Sequence, residues 1–273
     1  MNIRRTLGKL YAFFRRDLGI ARGYRGAFLL EILEALFGVA TFYYLSRFVG
    51  SPTLSRALPQ GQSYFAFVLI GFAFFDYLGV ALDAFDKTLE EARQNRTIEA
   101  LLVTQTSLPV MLIGSAIYPF VLASLRTLVY LGWGVLLFGF SPRSANWGGA
   151  VLILLASILA FAGLGIFSTS YVLLFTRGNP AKWILLGLSG LVGGMMYPVS
   201  ILPPYLQAIA RLIPITYALQ GMRAALLGGA PFHQLWPSII ALLIFAAVLL
   251  PLSFLVFAWA LRRTKITGTL THI

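Results

Sequence analysis

The chain has 273 residues, 59% of them hydrophobic and 11% charged, with a mean hydropathy of +0.83. Soluble domains carry roughly 45–50% apolar and about 25% charged residues, so a large soluble core is excluded and a polytopic membrane protein is expected. The formal charge of +12 comes without any recognisable nucleic-acid module, and cytoplasmic loops of membrane proteins collect basic residues, so no nucleic acid is expected as a partner.

Residues 1–22 are not a span. Ile3, Leu7, Leu10, Phe14 and Leu18 recur at helical spacing, while Arg4, Arg5, Lys9, Arg15 and Arg16 supply charge. That pattern predicts an amphipathic helix lying at the bilayer interface. No cleavable signal peptide is expected, because no short apolar core with a small-residue cleavage site follows the basic start. The first span is predicted at 27–48, with Glu31 and Glu34 near its start, placed at the cytoplasmic edge or facing other helices. The second is predicted at 64–82 with Asp76 well inside it. An intramembrane carboxylate needs a partner or a proton.

Residues 83–106, DAFDKTLEEARQNRTIEALLVTQT, form the one long mixed-charge segment. A short surface helix over 84–100 is expected there, decorated by Glu90, Glu91, Arg93, Arg96 and Glu99. Ile98, Leu101 and Leu102 would form its apolar side. It would lie along the membrane or dock into a soluble partner.

The third span, 109–140, would be on the order of 48 Å long against a hydrocarbon core of roughly 30 Å. It must tilt, kink at Pro119 or project beyond the bilayer. Arg126 lies too centrally in it for simple snorkelling. Asp76 is its best partner on depth, the alternatives being a polar cavity or a lipid phosphate. Later spans are predicted at 151–175, 183–197 and 235–261. Gly187, Gly190, Gly193 and Gly194 give the fifth a thin face for close helix approach.

With both termini in the cytoplasm, fifteen basic residues fall inside and five outside, the positive-inside bias expected of six spans. The apolar run between the fifth and sixth spans, 199–228, then starts and ends on the outer side. Pro198, Pro203, Pro204 and Pro214 break it into short pieces. It is too short for two crossings, so a re-entrant hairpin is expected, shielded by other helices because broken backbone is not tolerated against lipid. Arg211 and Arg223 are expected to anchor it at head-group level.

These residues resemble a known family. Gly193-Gly194…Tyr197-Pro198…Leu202-Pro203…Ile213-Pro214-Ile215-Thr216-Tyr217…Met222-Arg223 is similar to the external re-entrant segment of type-2 ATP-binding-cassette (ABC-2) export permeases, the membrane subunits of bacterial drug, polysaccharide and lipid exporters. Glu90 or Glu91 followed by Arg96-Thr97-Ile98-Glu99-Ala100-Leu101-Leu102-Val103-Thr104 resembles the family's coupling helix. Two positions depart from its pattern, Arg96 standing for the usual glycine and Gln105 for the usual proline. Residues 1–22 look like its connecting helix.

The resemblance implies an all-α multi-pass protein of the bacterial plasma membrane with a separate cytosolic ABC ATPase as partner. It also implies a second copy or paralogue meeting it at a seam that includes Gly187, Gly190 and Gly194. The cargo expected is hydrophobic, drug-like or lipid-linked, ahead of polysaccharide. No enzyme is expected in this chain and no cofactor of its own. It has no G-x-x-x-x-G-K-[ST] phosphate loop, no carboxylate beyond Glu99, no cysteine, and only His233 and His272 as histidines. ATP and magnesium would belong to the partner. The rival class is a secondary transporter or channel, for which Asp76 and Arg126 would serve as ion-coupling groups.

Overall fold

The computed structural model describes residues 3–23, 25–49, 63–94, 108–142, 144–175 and 178–267. Among them the chain is all-helical. In order come α1 (Ile3–Arg22), α2 (Arg25–Val49), α3 (Tyr64–Gln94), α4 (Leu108–Phe138), α5 (Trp147–Phe175) and α6 (Pro180–Val192). A 3₁₀ turn (Val199–Ile201), α7 (Pro204–Ala210), α8 (Pro214–Leu226) and α9 (Phe232–Thr267) follow.

Segments Tyr64–Lys87, Val110–Phe138, Trp147–Phe175 and Phe232–Thr264 are long and apolar enough to cross a bilayer. The count of such segments among the described residues is thus four, where the hydropathy pattern predicts six spans. α2 reaches 25 residues but carries Glu31, Glu34 and Arg47. α6 has 13 residues, about 20 Å of helix, too short for a hydrocarbon core of about 30 Å. The fifth span was expected over 183–197; its helix instead ends at Val192.

α5 and α9 form the most extensive helix pair. The buried face of α5 is built from small residues, including Ala156, Ser157, Ala160, Gly163 and Ser168, which let neighbouring backbones come close. α3 and α8 complete this core around Phe74, Tyr77, Phe161 and Ile215. α2 packs on α3 and α4, and α1 lies along α4. The outer face of α9 presents Trp236, Ile240, Leu243, Val248 and Leu255, as lipid-facing side chains should. At one end of the core, Asn146 caps α5 through Gly149 N (2.9 Å) and donates to Ala230 O (2.9 Å), tying that end to the α8–α9 connection.

Two prolines of the segment between α6 and α9 fall where helices begin, whereas Pro119, Pro237 and Pro251 lie inside helices. Pro204 and Pro214 each occupy the first turn of their helix, the position where a missing N–H costs nothing. Tyr217 OH donates to Arg211 O at 3.1 Å, and Gln207 Nε2 to Leu202 O at 2.7 Å, so the turns between the pieces are pinned. α7 is largely exposed, whereas α8 is buried around most of its circumference, Pro214, Ile215, Thr216 and Leu219 included.

What stops α6 is a change of backbone direction. Gly194 has φ +85°, a left-handed conformation that residues with a Cβ rarely adopt. The carbonyls past this break have no helical donors. Arg223 of α8 supplies them: its Nη1 donates to Gly194 O (2.7 Å) and its Nη2 to Met195 O (2.8 Å). Its Nε and Nη2 also reach Phe67 O on α3 (3.2 and 3.0 Å), and the guanidinium lies 3.3 Å from the Phe67 ring centroid. A Cβ at Gly71 would run into Met195 O and Arg223 Nη2, so glycine is required there for close approach. Arg223 is 8% exposed. It is therefore not a head-group anchor: it is drawn inward because the interrupted backbone needs donors that the bilayer cannot give.

Replacing Arg223 by Ala leaves Gly194 O and Met195 O short of a donor and takes a second donor from Phe67 O, and Lys lacks the planar fork that serves them together. Arg223→Ala is expected to lose about 3 kcal/mol of stability and Arg223→Lys to recover less than half of it. The check is denaturant unfolding of the purified protein in mixed micelles; a midpoint unchanged in the alanine variant contradicts this account.

Candidate functional site

Three polar assemblies sit along α3, and each joins it to a different neighbour. The first is the Arg223 knot near Phe67. The second lies near the middle. Arg126 of α4 places Nη1 3.4 Å from both carboxylate oxygens of Asp76 and Nη2 3.5 Å from Glu31 of α2. Charge-assisted contacts usually close to about 2.7–2.9 Å, so this guanidinium is shared between two carboxylates rather than clasped by one. Its Nε is buried and has no hydrogen-bond partner. The third assembly lies where α3 approaches α5 and the start of α6. Asp86 accepts from Thr169 Oγ1 and from Asn179 Nδ2 (2.5 Å), and the same Asn179 amide donates to Ser168 Oγ (2.7 Å). Asn179 Oδ1 caps α6 through Lys182 N (2.9 Å), and Lys182 Nζ pairs with Asp83.

The middle assembly opens into a cavity of about 1110 Å³ between α1, α2, α3 and α4, closed on one side by Leu186 of α6. Glu31, Glu34, Asp76 and Arg126 face it together with aromatic walls from Phe37, Phe72, Phe75, Tyr118 and Tyr130. Arg16 and Asp17 of α1, which pair with one another at 2.8 Å, line it too. A partly enclosed apolar space with a few converging polar groups is what a small-molecule site requires. Among the described residues no cluster of His, Asp or Glu is arranged to hold a metal ion.

Asp76 and Arg126, paired on depth from sequence, thus face each other, and Glu31 joins them unforeseen. The thin glycine face of the fifth predicted span divides. Gly187 has open space around it, whereas Gly190 lies against the Phe75 ring of α3, and Gly194 is buried at the break beside Val199. Gly190 and Gly194 are therefore used within the chain, because the fifth helix stops and turns where a continuous face was expected. Residues 84–94 continue α3 without interruption. Glu90 is exposed on this extension, and Glu91 lies beside it in the same helix. Arg96, Thr97, Glu99 and Leu102 lie outside the described residues. The Asp86 assembly was missed. Its visible signals were Asn179 just before Pro180, a helix-start signature, and Asp83 and Asp86 spaced one turn apart.

Alanine at Asp76 and at Arg126, singly and together, is expected to give non-additive losses of stability, with an interaction of about 1 kcal/mol. Unfolding of the four proteins in one double-mutant cycle reads this directly; strictly additive losses would mean that the two side chains merely lie near each other.

Comparison with known proteins gives this bundle a role. The family model for ABC-2 family transporter proteins matches residues 27–255. A curated relative, "Uncharacterized protein YhgE" from Bacillus subtilis (strain 168), is 28% identical over 135 residues. The match takes in 48% of this chain but 16% of that relative, so the chain spans only a small part of its length. Helices long and apolar enough to cross the bilayer several times and a family match over most of the sequence lead to one conclusion: this chain is a multi-pass membrane transport protein of the ABC-2 family.

Proposed function

We propose that the chain is the membrane subunit of an ATP-driven exporter, working beside a second copy or a close paralogue. In this reading a separate cytosolic ABC ATPase, holding ATP and magnesium, drives it. The observation that carries the proposal is the continuity of α3. One unbroken helix from Tyr64 to Gln94 holds the Arg223 knot near one end, the Arg126 pair in the middle and the Asp86 assembly near the other. Beyond that last assembly it carries Glu90, which is exposed, and Glu91, the residues that resemble the start of the family's coupling helix.

A push delivered to residues 84–100 then acts on a rigid rod. Through Asp86 and Asp83 it moves the start of α6, and through Phe67 it moves the break and α8. The re-entrant pieces α7 and α8 would form the outer mouth of the path. α1, packed on α4, is the second point where the motor would touch. Gly187, on the open side of α6, remains a contact for a second copy. The proposed cargo is hydrophobic, drug-like or lipid-linked, with polysaccharide or glycolipid behind it.

The experiment is reconstitution with a cognate ATPase in proteoliposomes. Replacing Glu99, or removing residues 88–99 so that Asp86 keeps its partners, is expected to lower transport-stimulated ATP hydrolysis at least about tenfold while the permease still folds. The charged group at Arg126 favours the rival reading of ion coupling. Movement of substrate down a proton gradient by the permease alone, with no ATPase present, establishes that rival and ends the exporter reading.

A further inference from the structure

The cavity between α1, α2, α3 and α4 has a charge opposite to that of the chain. Five of the nine acidic residues line it, namely Asp17, Glu31, Glu34, Asp76 and Asp83, against three of the twenty-one basic ones, Arg16, Lys87 and Arg126. Two of the carboxylates are spoken for: Asp17 pairs with Arg16, and Asp83 with Lys182. That leaves Glu31, Glu34 and Asp76 against Arg126 and Lys87, one negative charge in excess. Arg126 contacts Glu31 and Asp76. Among the described residues no cation pairs with Glu34.

Two independent features call for an occupant. One is this surplus of negative charge, with Glu34 exposed to a space whose walls mix apolar and polar groups. The other is the buried Arg126 Nε, a donor with no acceptor. Water meets the second need; a cation or a proton meets the first. The size of the space decides what kind of cation. A volume of about 1110 Å³ falls in the range of sites for drug-sized molecules, far beyond an inorganic ion. Phe37, Phe72, Phe75, Tyr118 and Tyr130 offer ring faces suited to a diffuse organic cation.

We propose that this cavity binds amphipathic organic cations, bulky apolar molecules carrying one positive charge, with Glu34 as the carboxylate that receives the charge. Glu31, Asp76 and Arg126 hold the surrounding field in place. The inference rests on the transport reading and narrows its cargo to one charge class.

The probes are tetraphenylphosphonium and tetraphenylborate, nearly identical in shape and opposite in charge. Saturable binding to the purified permease in lipid nanodiscs, without ATPase or nucleotide, is measured by equilibrium dialysis. Wild type is expected to bind the phosphonium at least about tenfold more tightly than the borate. Glu34→Gln is expected to weaken the phosphonium about tenfold. Glu34→Lys is expected to abolish that binding and admit the borate, with unfolding midpoints of both variants near wild type because Glu34 is exposed to the cavity. The variants in the same nanodiscs cancel partition into lipid.

Equal saturable binding of both ions, a charge preference indifferent to Glu34, or displacement of the phosphonium by millimolar sodium, which would mark an inorganic-ion site, overturns the proposal. Because no motor is present, the two readings fail separately. Lost ATPase coupling with charge-selective binding intact ends the exporter reading alone, and intact coupling without charge selection ends this one alone.

Discussion

A helix interrupted inside an apolar bundle exposes carbonyls that neither lipid nor a neighbouring apolar helix can satisfy, and in this chain a single guanidinium answers that problem. Arg223 serves Gly194 O, Met195 O and Phe67 O together and stacks on the Phe67 ring. No other side chain offers several donors in one rigid plane with so diffuse a charge. Its burial looks expensive if it is counted as an ion without a carboxylate, since burying charge is costly. Counted as the donor set for a broken backbone, it replaces water that cannot be there. The short α6, the left-handed Gly194 and the close approach at Gly71 all depend on it.

The knot is also one end of a mechanical element. Phe67, Asp76 and Asp86 are spaced at nine and ten residues along α3. The rise from the first to the last is about 28 Å, close to the thickness of a hydrocarbon core. α3 is therefore tied to the break and α8 near one face of the bundle, to α4 and α2 at mid-height, and to α5 and α6 near the other. A helix held by directional hydrogen bonds at Phe67 and Asp86 resists sliding, because slippage at one end must break the bonds at both. Apolar packing alone would let those levels slip past one another more easily.

Much of this was legible in the residues, and the reasons for the rest are physical. Long apolar runs marked α3, α4, α5 and α9, since a spanning helix needs about 20 predominantly apolar residues. Prolines marked the starts of α7 and α8. Asp76 and Arg126 could be paired because both sit deep in predicted spans and each needs the other. Arg223 was misplaced because an arginine next to a span is ordinarily drawn outward, and its true partners are backbone carbonyls, which have no sequence signature. The resemblance implies a seam with a second copy that includes Gly190 and Gly194; the thin face they would share is divided, because the helix stops at Val192. The Asp86 assembly escaped because hydroxyls and amides such as Thr169 and Asn179 are common in any loop or span. Only their convergence distinguishes them.

The distribution of carboxylates divides the molecule in two. Every acidic residue precedes Ala100, so α5 to α9 hold none, and the most extensive packing, between α5 and α9, belongs to that half. The second half contributes to charge chemistry through Arg223 and Lys182, and each of these reaches back to α3. α1 to α4 carry the cavity, the shared Arg126 and the extension that projects Glu90. In the proposed reading, where the protein both holds its shape in lipid and responds to an external push, this separation serves both ends. Close-packed small-residue helices resist rearrangement, whereas charge pairs at 3.4–3.5 Å can exchange partners over short distances. The parts able to move are then the parts that face the cavity, and α3 is the helix that belongs to both halves.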